Sequence, residues 1–201
     1  MSRNKVLNEK IKDERREQIL TTALRLFTKQ GLAGTRITEI SAKTGISQGL
    51  IYHYFRSKEE IFTTLIREAI EKINTAALEL EKQPLTAKEK IQLALDGLLK
   101  GFDKKSETSD FYFIITHAAI SENIPAEAKE IIATQNEIKY HVMARIFSQG
   151  QKEGSVKNHN AYEMAALLFS TINGLALHKA IYGKGYKMPN KNILLSMFLN
   201  D

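Results

Sequence analysis

The spacing of apolar residues predicts helices along nearly the whole chain. Ile19, Leu20, Ala23, Leu24 and Phe27 recur at helical spacing with charged residues between them, so residues 13–30 read as an amphipathic helix. Gly31, directly after Lys29-Gln30, is a helix stop in a left-handed turn. Residues 1–12 lack an apolar face and read as a mobile or helix-extending basic arm. Short helices fit 37–44 and 48–55, with a turn at 45–47. Ser57-Lys58-Glu59-Glu60 has the form of a capping box, in which Glu60 reaches back. One long helix follows over 58–81 and ends at Gln83-Pro84. Thr86-Ala87-Lys88-Glu89 is a second box, opening a helix that carries Ile91, Leu95, Leu98, Leu99 and Phe102. A polar loop over 103–110 and an apolar helix over 110–121 come next. One long helix over 125–152, a strongly apolar helix over 160–182 and a last helix over 189–199 complete the chain. That makes nine helices. Strands are not expected, because period-two alternation is absent and the Asn173-Gly174 and Asp96-Gly97 pairs lie inside helical patterns.

Residues 37–55 meet the demands of a helix-turn-helix, which needs two short helices crossing steeply at a tight turn. Ile37 and Ile40 form the inner face of the first helix, and Ser41 is the small residue at the crossing. Gly45 supplies the left-handed turn, Ile46 anchors it, and Ile51 with Phe55 anchors the second helix. Ser47 can cap that helix, leaving backbone N–H groups at its start free for a phosphate. Its outer face then shows Gln48, Gly49, Tyr52 and His53. These are hydrogen-bonding groups around a gap, which suits a surface entering a DNA groove.

Charge sharpens this reading. The chain of 201 residues carries a net charge of +6, and residues 1–60 hold 12 Lys and Arg against 7 Asp and Glu. Nearly all the excess positive charge therefore accompanies the motif. A basic surface facing phosphates gains affinity through counterion release. No cysteine is present, which removes disulfides and thiolate metal sites and suits a reducing cytosol. Residues 1–20 show no secretory signal, and no run of about 18 uncharged apolar residues stands out, so a cytoplasmic protein without a membrane span is expected.

The segment Gly45-Ile46-Ser47-Gln48-Gly49-Leu50-Ile51-Tyr52-His53-Tyr54-Phe55-Arg56-Ser57-Lys58-Glu59-Glu60 resembles the recognition segment of the TetR family. The preceding Gln18-Ile19-Leu20, Ala23, Leu26-Phe27, Gly31, Thr35 and Ile40 resemble that family's first two helices. The resemblance covers roughly residues 18–60 and implies an all-α fold. A three-helix helix-turn-helix DNA-binding domain would occupy 1–57, and a larger ligand-binding and dimerisation domain 58–201. By the resemblance, Thr35 contacts phosphate, and Gln48 and Gly49 stand at base edges. Tyr52, and in part Tyr54, reach phosphate, His53 touches phosphate or base, and Lys58 holds the backbone. Two positions depart from the family pattern. Ser41 stands where alanine is usual. Leu50 stands where threonine or asparagine is frequent, so contact with a thymine methyl would replace a hydrogen bond.

Beyond residue 60 the chain resembles the family only in length and helix pattern. The resemblance implies a small-molecule pocket, for which Phe102, Tyr112, Phe113, Thr116, His117, Met143, Phe147, Phe169 and Asn173 are candidates. Aromatics at helical spacing are more often the signature of a core. A homodimer seam is expected at Leu167, Gly174, Leu177, Ile193, Leu194, Met197 and Phe198, two helices from each chain forming a four-helix bundle. His117, His141 and His178 contain no i, i+4 pair, and neither a metal nor another cofactor is expected. A Gly-rich phosphate loop and a nucleophile elbow are both absent, so catalysis is not expected. The expected partners are a pseudo-palindromic DNA operator, an unidentified effector and a second copy of the chain. The expected function is a repressor released from its operator by that effector. An all-helical adaptor without DNA binding is the alternative, against which Gly45, Gly49, Tyr52 and Lys58 argue.

Overall fold

The computed structural model describes residues 2–102 and 107–200. The described residues form ten α-helices: α1 (Ser2–Gly34), α2 (Ile37–Thr44), α3 (Gln48–Tyr54), α4 (Lys58–Lys82), α5 (Ala87–Gly101), α6 (Thr108–Ile120), α7 (Ala126–Gln135), α8 (Ile138–Lys152), α9 (Ala161–Tyr182) and α10 (Lys191–Phe198). Among the described residues there is no strand, and one isolated antiparallel bridge joins Val156 to Leu199. The expected all-α class stands. Part of the polar loop expected over 103–110 lies outside the described residues.

The local signals act as the residue chemistry requires. Ser57 Oγ accepts from Glu60 N at 3.1 Å, but Glu60 reaches back to the N–H of Arg56, one residue before the cap. Thr86 and Glu89 form a complete capping box at the start of α5. Gly31 breaks α1 at φ 72°, ψ 173°, a region essentially reserved for glycine. No atom lies within 4 Å of a Cβ added there, so strain alone sets the effect of a substitution. Gly31→Ala is expected to cost about 1–3 kcal/mol, lowering the thermal midpoint in calorimetry. An unchanged midpoint would mean that the corner relaxes without strain.

The helix expected over 125–152 is divided into α7 and α8 at Asn136 and Glu137, whose backbone stays right-handed. The buried Asn74 of α4 donates to the carbonyl of Gln135 at 2.9 Å, and Lys139 Nζ donates to Asn136 Oδ1. These side chains secure the junction between the two helices.

Two apolar clusters form the interior. One gathers the apolar residues of 19–27 and 61–70 with Ile40, Ile46, Ile51, Phe55, Ile114, Ile115, Ala118, Ala128 and Ile131. The other gathers Ala77, α5, Tyr112 and the inner faces of α8, α9 and α10. Helices α4 and α6 contribute to both. The first cluster is further tied by Arg16, whose Nη2 meets Glu68 at 2.7 Å and whose guanidinium carbon lies 5.6 Å from the Phe55 ring centroid. α9 is long and apolar enough, by length and composition, to cross a membrane. One face of it nevertheless packs Met164, Ala165, Leu168, Phe169, Ile172, Leu175 and Ala176 into the second cluster.

Candidate DNA interface and ligand cavity

The turn between α2 and α3 is built from its own side chains. Gly45 caps α2 at φ 70°, ψ 7°, and its N–H donates to Ser41 O. Ser41 Oγ donates to Ile46 O at 2.7 Å, so the small residue at the crossing also fastens the turn. Ser47 Oγ accepts from Leu50 N at 3.3 Å, starting α3. Ile40, Ile51 and Phe55 are buried and hold α2 and α3 against α1 and α4.

This packing leaves Ser47, Gln48, Gly49, Tyr52 and His53 exposed on α3 and its cap. Tyr52 is 52% exposed, a large ring that the core does not use. Nothing lies within 4 Å of a Cβ placed on Gly49, so the fold does not require glycine there. His53 stands edge-on to Tyr54, with centroids 5.7 Å apart, and Tyr54 is half-buried against the first cluster. Leu50 is likewise half-buried against that cluster, which accounts for an apolar residue at this position without a thymine methyl.

Two expected phosphate contacts are placed differently. Thr35 is fully buried, and its hydroxyl donates to Gly31 O at 2.8 Å, so it fastens the corner between α1 and α2. Lys58 directs Nζ to the carbonyls of Leu32, Ala33 and Thr35 at 2.8, 3.2 and 2.9 Å. All three of its donors are engaged at the C-terminal end of α1, where a cation also suits the helix dipole. Arg36 stands exposed at the entry to α2 and is not among the contacts expected from the sequence. Its charge directly before the first apolar residue of α2 is a signal the sequence does carry.

In the C-terminal part, a cavity of about 760 Å3 lies between α4, α5 and α6, closed by Met143, Leu168 and Phe169 of α8 and α9. Of the expected pocket residues, Tyr112, Met143 and Phe169 line it. Phe102 and Phe147 do not. Both are buried in the core, Phe102 edge-on to Tyr112 and Phe147 against Phe198. Phe113 and His117 stack on each other and line a separate cleft of about 590 Å3 against residues 27–33 of α1. Thr116 is exposed, with its hydroxyl donating to Tyr112 O, and Asn173 is half-buried outside the cavity wall. Among the described residues, no three His, Cys, Asp or Glu side chains converge as a metal site.

The expected dimer seam also divides. Leu167, Gly174, Leu177, Ile193 and Met197 are exposed, and Ile181 extends the same face of α9 at 62% exposure. Leu194 and Phe198 are instead buried in the chain's own core and are unavailable to a partner.

Residues 19–65, the span from the buried half of α1 to the second turn of α4, match the family model of bacterial regulatory proteins, tetR family. These residues carry the DNA-binding domain of the TetR family. Among curated relatives, the chain is 31% identical over 123 residues to the uncharacterized HTH-type transcriptional regulator YerO of Bacillus subtilis. That match takes in 59% of this chain but only 39% of the relative's length. It is 24% identical over 160 residues to the HTH-type transcriptional repressor NicS of Pseudomonas putida, covering 80% of this chain and 74% of that one. A crystal structure of a transcriptional regulator from Saccharomonospora viridis in complex with choline superposes with a TM-score of 0.73 at 20% identity, covering 94% of this chain and 100% of that one. The likeness of fold thus extends well beyond the family motif.

Of the expected DNA contacts, the Tyr52 hydroxyl is the simplest to test. Tyr52→Phe is expected to weaken DNA binding with little change in sequence preference, as loss of a phosphate contact does. Titration of a bound duplex and a non-specific duplex by anisotropy checks this. Equal affinity for wild type and variant would remove Tyr52 from the interface.

Proposed function

We propose that the chain is a homodimeric transcription repressor that reads a pseudo-palindromic DNA operator with α3 and leaves it when a small molecule fills the cavity beside α4. The observation that carries this is the exposed group of Gln48, Gly49, Tyr52 and His53 on a helix whose other face is locked into the first cluster. Polar edges and a gap, held rigidly, suit the major groove. The net positive charge of the same third of the chain supports the reading through phosphate attraction.

The exposed stripe of Leu167, Gly174, Leu177 and Ile181 on α9, and the exposed Ile193 and Met197 on α10, support a two-fold seam. Gly174 has open space around a built Cβ, so a second helix can approach it closely. The cavity wall includes Ala69, Ile73, Ala76, Ala77 and Leu80 of α4, the helix whose first residue, Lys58, grips the end of α1. A ligand that displaces α4 would therefore be felt at the DNA-reading helices. The favoured states differ in the spacing of the two α3 helices, and the ligand shifts the population by its differential affinity. The name of NicS supports repression, and the choline complex of the S. viridis regulator supports a small-molecule effector. Residues 1–57 would read DNA and residues 58–201 would sense and dimerise, in the cytoplasm and without catalysis.

The test is a mobility shift with duplex from upstream of the protein's own gene, across a salt series. Specific binding that falls with salt is expected. Binding no tighter than to unrelated duplex at every salt concentration would overturn the proposal.

A further inference from the structure

The cavity wall constrains what it can hold. We propose that it takes an uncharged, largely apolar molecule with one hydrogen-bonding group, seated on the Tyr112 hydroxyl. This rests on reading the cavity as the effector site. Its volume of about 760 Å3 falls within the usual range for small-molecule sites, roughly 300–1,000 Å3. The wall is predominantly apolar, with Ile73, Leu80, Leu98, Met143 and Phe169 among its members.

The charged residues at this cavity are already occupied or lie in solvent. Lys72 is exposed, and its ammonium lies 5.5 Å from the Phe111 ring centroid. Glu107 meets Arg25 at 3.7 Å, and Glu79 is exposed on α4. A charged group deeper in the cavity would lose its water without gaining an ionic partner, at a cost greater than any apolar contact returns.

Tyr112 differs from all of these. Its side chain lines the cavity and is 3% exposed, and its hydroxyl has no hydrogen-bond partner among the described residues. Burial pushes its pKa up, so it remains a neutral phenol that can both donate and accept. Among the described residues the buried side-chain polar atom left without a partner is Asn74 Oδ1, so the Tyr112 hydroxyl is open to the cavity, where a ligand oxygen or nitrogen can pair with it. Such a ligand gains twice, by burying its apolar body and by satisfying this one group.

The experiment uses the full chain loaded with Nile red, an uncharged fluorescent probe, at pH 7. It is displaced in parallel by 1-octanol, octanoate and octylammonium, which differ only in head group. Ala76→Trp, at an exposed wall position, is expected to abolish Nile red uptake without altering the thermal midpoint and so ties the signal to this cavity. Octanol is expected to displace the probe at a concentration at least tenfold below either ion. Tyr112→Phe keeps the ring and its packing, and is expected to weaken octanol by about three- to tenfold, the worth of one net hydrogen bond. Either ion displacing the probe as well as octanol, or unchanged octanol affinity in Tyr112→Phe, would overturn the assignment. Displacement by octanol without release of operator DNA would leave the ligand assignment standing and overturn the effector reading.

Discussion

Gly49→Glu is expected to abolish specific DNA binding, with at least a hundredfold loss in affinity, while leaving the fold as stable as before or more so. Open space surrounds a Cβ at this position, so the added side chain meets no protein atom. Glycine in a helix costs about 0.5–1 kcal/mol relative to alanine, and a carboxylate near the start of α3 suits the helix dipole. Stability therefore should not fall. At the interface, the same change fills the gap between Gln48 and Tyr52 and places a negative charge among phosphates. Calorimetry and anisotropy on one preparation separate the two effects. A lowered thermal midpoint would mean that Gly49 serves the fold, and retained affinity would mean that α3 does not face DNA.

Lys139→Met is expected to stabilise the protein at pH 7 by about 1–3 kcal/mol. Lys139 is 4% exposed, bonded to Asn136 Oδ1, with its ammonium 5.0 Å from the Tyr140 ring centroid and 5.5 Å from that of Phe169. Burial holds its pKa down to about 8, against a smaller opposing pull from Glu137. The folded chain thus binds this proton less tightly than the unfolded chain, in which lysine titrates near 10.4. The penalty is full below pH 8 and is relieved as pH rises from there towards about 10.4. The advantage of Lys139→Met should accordingly be largest at pH 7 and shrink across that window. Urea titrations of both proteins at pH 7, 8, 9 and 10 measure it. A variant less stable than wild type at pH 7 would show that the two rings and Asn136 more than offset the buried charge.

Local signals were legible in the sequence wherever the physics is local. The Thr86–Glu89 box, the Gly45 turn and the Ser47 cap each act within a few residues, and each forms as its chemistry dictates. The break between α7 and α8 was not legible, because Asn74 reaches Gln135 from 61 residues away. The direction of a side chain around its helix axis was equally hidden. Tyr112 lines the cavity while its neighbour Phe113 faces the cleft against α1, since successive helical residues point roughly 100° apart. On α10 the pair Ile193 and Met197 faces outward, whereas Leu194 and Phe198, one step further round, face the core. Composition joins such residues into one seam, and only packing separates them. Thr35 and Lys58 follow the same logic. Their types suit phosphate, but the break at Gly31 turns backbone carbonyls towards them, and both serve the corner of α1.

That α3 reads DNA sequence is tested most directly by selecting bound duplexes from a random pool with the wild-type chain and, in parallel, with Gly49→Glu. Wild type should enrich a pseudo-palindrome whose half-sites lie about one helical turn apart or somewhat more, and Gly49→Glu should enrich none. No enrichment by wild type, or the same motif recovered by both proteins, would contradict the account.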